Sequence, residues 1–214
     1  MIISPLHYLV TRPEQAELAC QAGVDWIQLR VKNRSYADWK VLAQDTLSVC
    51  RSHNARLIIN DNPQLAAELG ADGVHLGQDD MPVPEARALL GNTFIIGGTA
   101  NTLETIRLHG QNGADYVGLG PFRFTSTKEK LSPILGLTGY QSVLSTLQSE
   151  GFSLPIVAIG GITLADIPAL LQAGLHGVAV SSAISGAANP IEQAQQFCQY
   201  FTLTTVKITA HEHP

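Results

Sequence analysis

The chain has 214 residues, 45% of them hydrophobic and only 14% charged, with a formal net charge of −5. That balance suits a folded core and argues against a disordered chain, and the negative charge leaves no basic surface that would suggest nucleic acid. If the substrates are anionic, a few local cations and a metal must hold them, not the field of the whole protein. The three cysteines, Cys20, Cys50 and Cys198, lie far apart without a Cys-x-x-Cys pairing, as free thiols in a reducing compartment do. No basic leader precedes an apolar run at the start of the chain. No apolar stretch approaches the roughly 20 residues that span a bilayer. We therefore expect a cytoplasmic protein with small-molecule partners, no nucleic acid and no membrane; a homo-oligomer is compatible with the sequence.

The pattern opens with a strand at Tyr8–Val10 and a helix over Pro13–Ala22. A glycine and a short apolar run follow at Gly23 (GVDWIQLR), then a helix over Tyr36–Ser52 and a strand at Leu57–Ile59. The next helix, Pro63–Leu69, leads into Gly70 (GADGVHLG), and Val83–Leu90 precedes a strand at Phe94–Ile96. Leu103–Gln111 leads into Gly113 (GADYVGLG), and a long stretch without clear period runs to Gly136. A strand at Ile156–Ile159, a helix over Leu164–Ala173, Gly174 (GLHGVAVS) and a helix over Ile191–Tyr200 complete the series. The four glycines form an internal repeat: each ends a helix-like stretch and suits a left-handed C-cap, and the run after it is too short for a helix. Eight strands alternating with helices, with connections long enough for right-handed crossovers, predict a parallel sheet closed into one (β/α)8 barrel over residues 1–214. A doubly wound open sheet is the alternative, but the early chain lacks a Gly-x-Gly-x-x-Gly turn. After about residue 201 no period is legible, and a frayed tail is expected.

In such a barrel the chemistry sits at the C-terminal strand ends. Alternation places Gln28, Arg30 and Lys32 on one side of the second strand, two cations able to grip a polyanion. Asn60-Asp61 ends the third strand and Gln78-Asp79-Asp80 follows the fourth. Carboxylates beside cations suggest magnesium shared with phosphate oxygens, although Asp61 and Asp80 could instead be helix caps. Gly97-Gly98-Thr99 ends the fifth strand, where Thr99 could also be a cap. The sixth is followed by a loop holding Thr125, Ser126, Thr127 and Lys128, long enough to be functional. Gly160-Gly161 and Ser181-Ser182 end the last two strands, the recurrent phosphate site of these barrels. A diphosphate with metal at strands 2–4 and a monophosphate at strands 7–8 would fill the two anion sites. His75, mid-strand, reads as a hydrogen-bonded interior histidine.

Together these motifs resemble the thiamine phosphate synthase family. They are Gln28-Leu29-Arg30-x-Lys32, Asn60-Asp61, GADGVHLGQDD over 70–80, Gly120-Pro121 with Thr125-x-Thr127-Lys128, and Ala158-Ile159-Gly160-Gly161-Ile162. The likeness runs roughly from Leu6 to Phe197. It implies that Gln28, Arg30, Lys32, Asn60 and Lys128 hold a pyrimidine diphosphate, with Asp61 and Asp80 on Mg2+. It implies that Thr125, Thr127, Gly161 and the Ser181-Ser182 backbone hold a thiazole phosphate. Arg30, Lys32 and Lys128 would stabilise the leaving diphosphate. The sequence departs from the family pattern at Thr99 (generally serine), at Arg123 and Phe124 (usually apolar, then proline), and at Ser181 (usually aliphatic). The related thiazole tautomerase would carry a histidine where Asn101 stands. A non-catalytic sensor of a thiamine precursor and another phosphate-binding barrel, such as a sugar-phosphate epimerase, are the remaining rivals.

Overall fold

A computed structural model describes residues 2–125 and 132–209, with side chains through residue 203. Eight strands form a closed barrel in chain order, every neighbouring pair parallel. They are β1 (Leu6–Val10), β2 (Trp26–Leu29), β3 (Arg56–Asn60), β4 (Gly73–Leu76), β5 (Ile95–Ala100), β6 (Tyr116–Leu119), β7 (Ile156–Ile159) and β8 (Gly177–Val180). The helices are α1 (Pro13–Gln21), α2 (Tyr36–Ser52), α3 (Pro63–Leu69), α4 (Val83–Leu90), α5 (Leu103–Gln111), α6 (Gly136–Ser149), α7 (Ile167–Gln172), α8 (Ser182–Ser185) and α9 (Pro190–Thr209). A 3-10 turn at Leu164–Asp166 precedes α7. Among the described residues, no helix is long and apolar enough to cross a membrane.

The glycine repeat has the expected cause: Gly23, Gly70, Gly113 and Gly174 all adopt positive φ, between 62° and 102°, which a Cβ would penalise. Helix starts follow side-chain acceptors. Ser35 accepts from the Asp38 N–H at 3.1 Å, Asn62 from Leu65 at 2.9 Å and Thr102 from Thr105 at 3.2 Å. Several elements differ from the sequence reading, among them the short α8 and the 3-10 turn that opens the helix read from Leu164. The aperiodic stretch gives way at Gly136 to α6, which has no side-chain cap and is held by burial of Tyr140, Leu144 and Leu147. The last helix continues beyond Phe201 to Thr209.

Strand alternation divides the core in two. The larger set, including Tyr8, Ile27, Leu57, Ile59, Ile96 and Val178, lies with the buried helix residues between strands and helices. The smaller, including Leu9, Trp26, Ile58, Ile95, Tyr116, Val157 and Ala179, fills the barrel interior. His7 stacks on Trp26 there, with centroids 4.3 Å apart, and meets the Tyr116 ring edge-on at 5.0 Å. Gly97 makes room for this plug, since a Cβ on it would stand 2.2 Å from Tyr116 Cζ. Above the plug the interior opens into the site.

Candidate active site

The C-terminal strand ends enclose a cavity of about 440 Å³. Gln28, Arg30, Lys32, Asn60, Asp61, Asp80, Thr99, Thr125, Gly161, Ser181 and Ser182 all line it. Thr127 and Lys128 lie outside the described residues.

On the β2–β4 side the polar groups form a connected chain. Gln28 Nε2 donates to Asn60 Oδ1 at 2.7 Å. Asn60 Nδ2 donates to one Asp61 oxygen and Lys32 Nζ to the other. Asp61 itself is left-handed, with φ 65°, an uncommon conformation outside glycine that Asp and Asn tolerate best. It is not the cap of α3; that is Asn62. Nor does Asp80 cap α4, whose N-cap is Pro82; Asp80 accepts the Gly77 N–H at 2.6 Å, folding the turn after β4 onto the cavity. Burial, and next its hydrogen-bonded contact with Asp61, push the Asp80 carboxyl above the usual range. Two carboxylates held this close, one resisting ionisation, form a donor pair that a divalent cation would relieve. Magnesium commonly takes one or two carboxylates and completes its shell with phosphate oxygens and water, so the residues fit it. Arg30 has no side-chain partner among the described residues, which leaves its guanidinium available to an anion.

Thr99 lies near the end of β5, which runs on to Ala100, and the cap of α5 is Thr102, not Thr99. Its hydroxyl meets His75 Nε2 at 3.0 Å, and His75 Nδ1 meets the Tyr116 hydroxyl at 2.9 Å. His75 is thus the hydrogen-bonded interior histidine that its mid-strand position suggests, with one edge on the cavity wall. Asn101, by contrast, is absent from that wall. Its amide is buried and donates to the Gly120 and Pro133 carbonyls, both at 2.9 Å. The position where a tautomerase would carry a histidine is here a structural strut.

Across the barrel, Gly160 and Gly161 turn the chain after β7 at φ 100° and 66°. Ser181 points its hydroxyl back to the Leu9 carbonyl at 3.0 Å, so what it offers the cavity is backbone. Ser182 and Ala183 open α8 beside it. Sequence reasoning missed Ile159 and Ile162 on the apolar part of the wall, although alternation along β7 carries the signal for Ile159. It also missed Ser132, for which no local signal exists.

Comparison with known proteins shows the family. A family model described as thiamine monophosphate synthase matches residues 2–184. A thiamine-phosphate synthase of Bacteroides fragilis is 49% identical over 183 residues, covering 86% of this chain and 90% of that protein. One of Flavobacterium johnsoniae is 53% identical over 167 residues, 78% of this chain and 79% of its own. The solved thiamine phosphate pyrophosphorylase from Pyrococcus furiosus superposes with a TM-score of 0.79 at 28% identity, over 91% of this chain and 93% of that one. The chain belongs to the thiamine monophosphate synthase family and is a transferase of thiamine biosynthesis.

Proposed function

We propose that the enzyme joins hydroxymethylpyrimidine diphosphate to a thiazole phosphate (the carboxythiazole or the hydroxyethylthiazole form), releasing pyrophosphate and thiamine phosphate, with carbon dioxide as a further product when the carboxythiazole form is used. The observation that carries this reading is the opposition of two unlike anion sites across one cavity. The Gln28–Asn60–Asp61–Lys32 chain, with Arg30 and Asp80, stands on the β2–β4 side. The Gly160-Gly161 turn and the Ser181-Ser182 backbone stand on the β7–β8 side. Strand order sets these groups opposite each other, with space between for two rings to meet.

In this reading Arg30 and Lys32 bind the diphosphate, and Gln28 and Asn60 orient the pyrimidine end. Asp61 and Asp80 hold Mg2+, with Lys128 as a further cation on the leaving group. When bound, the metal supplies positive charge to the diphosphate oxygens. The pyrimidine–diphosphate C–O bond breaks, and its electron pair leaves with the diphosphate. Preorganised cations stabilise that developing charge more than they stabilise the ground state, which is the form of help that usually dominates. The thiazole nitrogen then donates its lone pair to the pyrimidine methylene cation. Thr125, Thr127, Gly161 and Ser182 hold the thiazole phosphate so that this nitrogen faces the forming cation, and Thr99 lines the pyrimidine end. The test is incubation of the purified protein with both precursors and magnesium. Thiamine phosphate and pyrophosphate in equal amounts are expected; no product with either thiazole form would sink the proposal.

A further inference from the structure

The segment after β6 runs hydrogen-bonded beside the segment after β7. The Phe122 N–H donates to the Ile159 carbonyl at 2.9 Å and the Arg123 N–H to the Gly160 carbonyl at 3.0 Å. The Arg123 side chain continues the seam. Its guanidinium donates to the Gly161 carbonyl at 2.7 Å and to the two Asp166 carboxylate oxygens at 2.7 Å each. It also lies 4.7 Å from the centroid of the Phe122 ring. Asp166 is itself fixed, accepting the Thr163 N–H at 2.8 Å and the Thr163 hydroxyl at 2.7 Å.

This arrangement controls which way two peptide groups face. A trans peptide sets its C=O and its N–H on opposite sides of the chain. The carbonyls of Gly160 and Gly161 are both drawn to Arg123, so the N–H groups of Gly161 and Ile162 turn the other way. Among the described residues neither N–H donates to a protein acceptor, and both residues line the cavity. Arg123 does not line it, and its charge is matched by Asp166. We propose that Arg123, acting through Asp166 and the Gly161 carbonyl, is a positioning residue that holds the Gly161 and Ile162 N–H groups ready for the monophosphate of the thiazole substrate. The assignment of that ligand rests on the function proposed above.

The Arg123 side chain is 46% exposed, so charge attraction alone contributes little. What the guanidinium supplies is a rigid planar fork that serves a carboxylate and a carbonyl together, and a lysine cannot reproduce it. The test measures KM for each substrate, and kcat, in wild type, Arg123→Met, Arg123→Lys, Asp166→Asn and the Arg123→Met/Asp166→Asn double variant. Asparagine at 166 keeps an acceptor for Thr163 while losing the charge. Arg123→Met should raise KM for the thiazole phosphate about tenfold, the equivalent of one misaligned hydrogen bond, with KM for the pyrimidine diphosphate unchanged. Asp166→Asn should show the same split, Arg123→Lys should not rescue it, and the double variant should be no worse than Arg123→Met, because the residues act as one unit. Titration with inorganic phosphate gives a readout independent of turnover, and Arg123→Met should weaken that binding by about the same factor. Equal rises in both KM values would overturn the proposal. So would a fall in kcat with both KM values unchanged, as partial unfolding produces, or phosphate binding equal to wild type. A wild type that binds phosphate but makes no thiamine phosphate would refute the reaction, and the phosphate titration would still decide the clamp.

Discussion

Substituting Gly161 by alanine tests a tightly packed point of the cavity wall. The residue has φ 66°, and a Cβ there would lie 2.5 Å from Arg123 Cγ and 2.9 Å from the Phe124 carbonyl oxygen. The left-handed backbone costs a residue with a Cβ about 1–2 kcal/mol. Forcing extra volume into a filled space adds roughly 1–3 kcal/mol. Swinging Arg123 aside would relieve one contact but break its bonds to Gly161 and Asp166, and the Phe124 carbonyl is main chain and cannot swing away. We expect a loss near the middle of the sum, about 3.5 kcal/mol, which for a chain of this size lowers Tm by roughly 7–14 °C. Gly151→Ala is the internal control. Its φ is 70°, but nothing lies within 4 Å of the added Cβ, so only the backbone cost of about 1–2 kcal/mol remains. Thermal and urea unfolding of both variants separates clash from backbone strain, and steady-state kinetics should show KM rising for the thiazole phosphate alone. If Gly161→Ala melts with Gly151→Ala or above it, the clash is not real. If KM rises only for the pyrimidine diphosphate, the two anion sites are assigned the wrong way round.

Three further outcomes follow from the same geometry. Asp61→Asn should lower turnover by about a hundredfold or more with Tm nearly unchanged, because asparagine also tolerates φ 65°; normal turnover of that variant, or of wild type in excess chelator, would remove the carboxylate–metal pair from the mechanism. Arg30→Ala should raise KM for the pyrimidine diphosphate roughly ten- to a hundredfold, the range of a charge-assisted hydrogen bond, and leave Tm in place because no protein partner among the described residues is lost; a large fall in Tm would show a structural role instead. Burial, and next the nearby His75, hold the His7 imidazole well below its ordinary value of about 6.5. The unfolded chain therefore takes up a proton below that pH while the folded chain does not, so the contribution is complete above pH 6.5 and declines as pH falls. As pH falls below 6.5 the unfolding free energy should decline because of this residue, with a slope that rises towards a limit of about 1.4 kcal/mol per pH unit; urea titrations of wild type and His7→Asn at a series of pH values check this, and an equal pH dependence in the two proteins would refute the assignment.

The strand–helix alternation, the four left-handed glycines and the polar strand ends are local patterns, and the sequence alone carries them. A glycine after a helix reports its own backbone, and a period of two or of 3.6 reports one buried face. The helix α6 was not legible, because Gly136 and Gly139 at its start and the lack of a capping side chain erase the local signal, and only the burial of Tyr140, Leu144 and Leu147 decides it. At the strand ends the residue types could be read but not their partners. Asp61 and Asp80 remained equal candidates for helix caps until the fold made Asn62 the cap of α3, left α4 without a capping side chain and turned both carboxylates to one cavity. The same holds for His75 with Tyr116, 41 residues apart, and for Arg123 with Asp166, 43 apart. Such contacts exist only once the barrel closes, since closure sets distant strand ends side by side, and no property of either residue's neighbours in the chain encodes which partner it will meet.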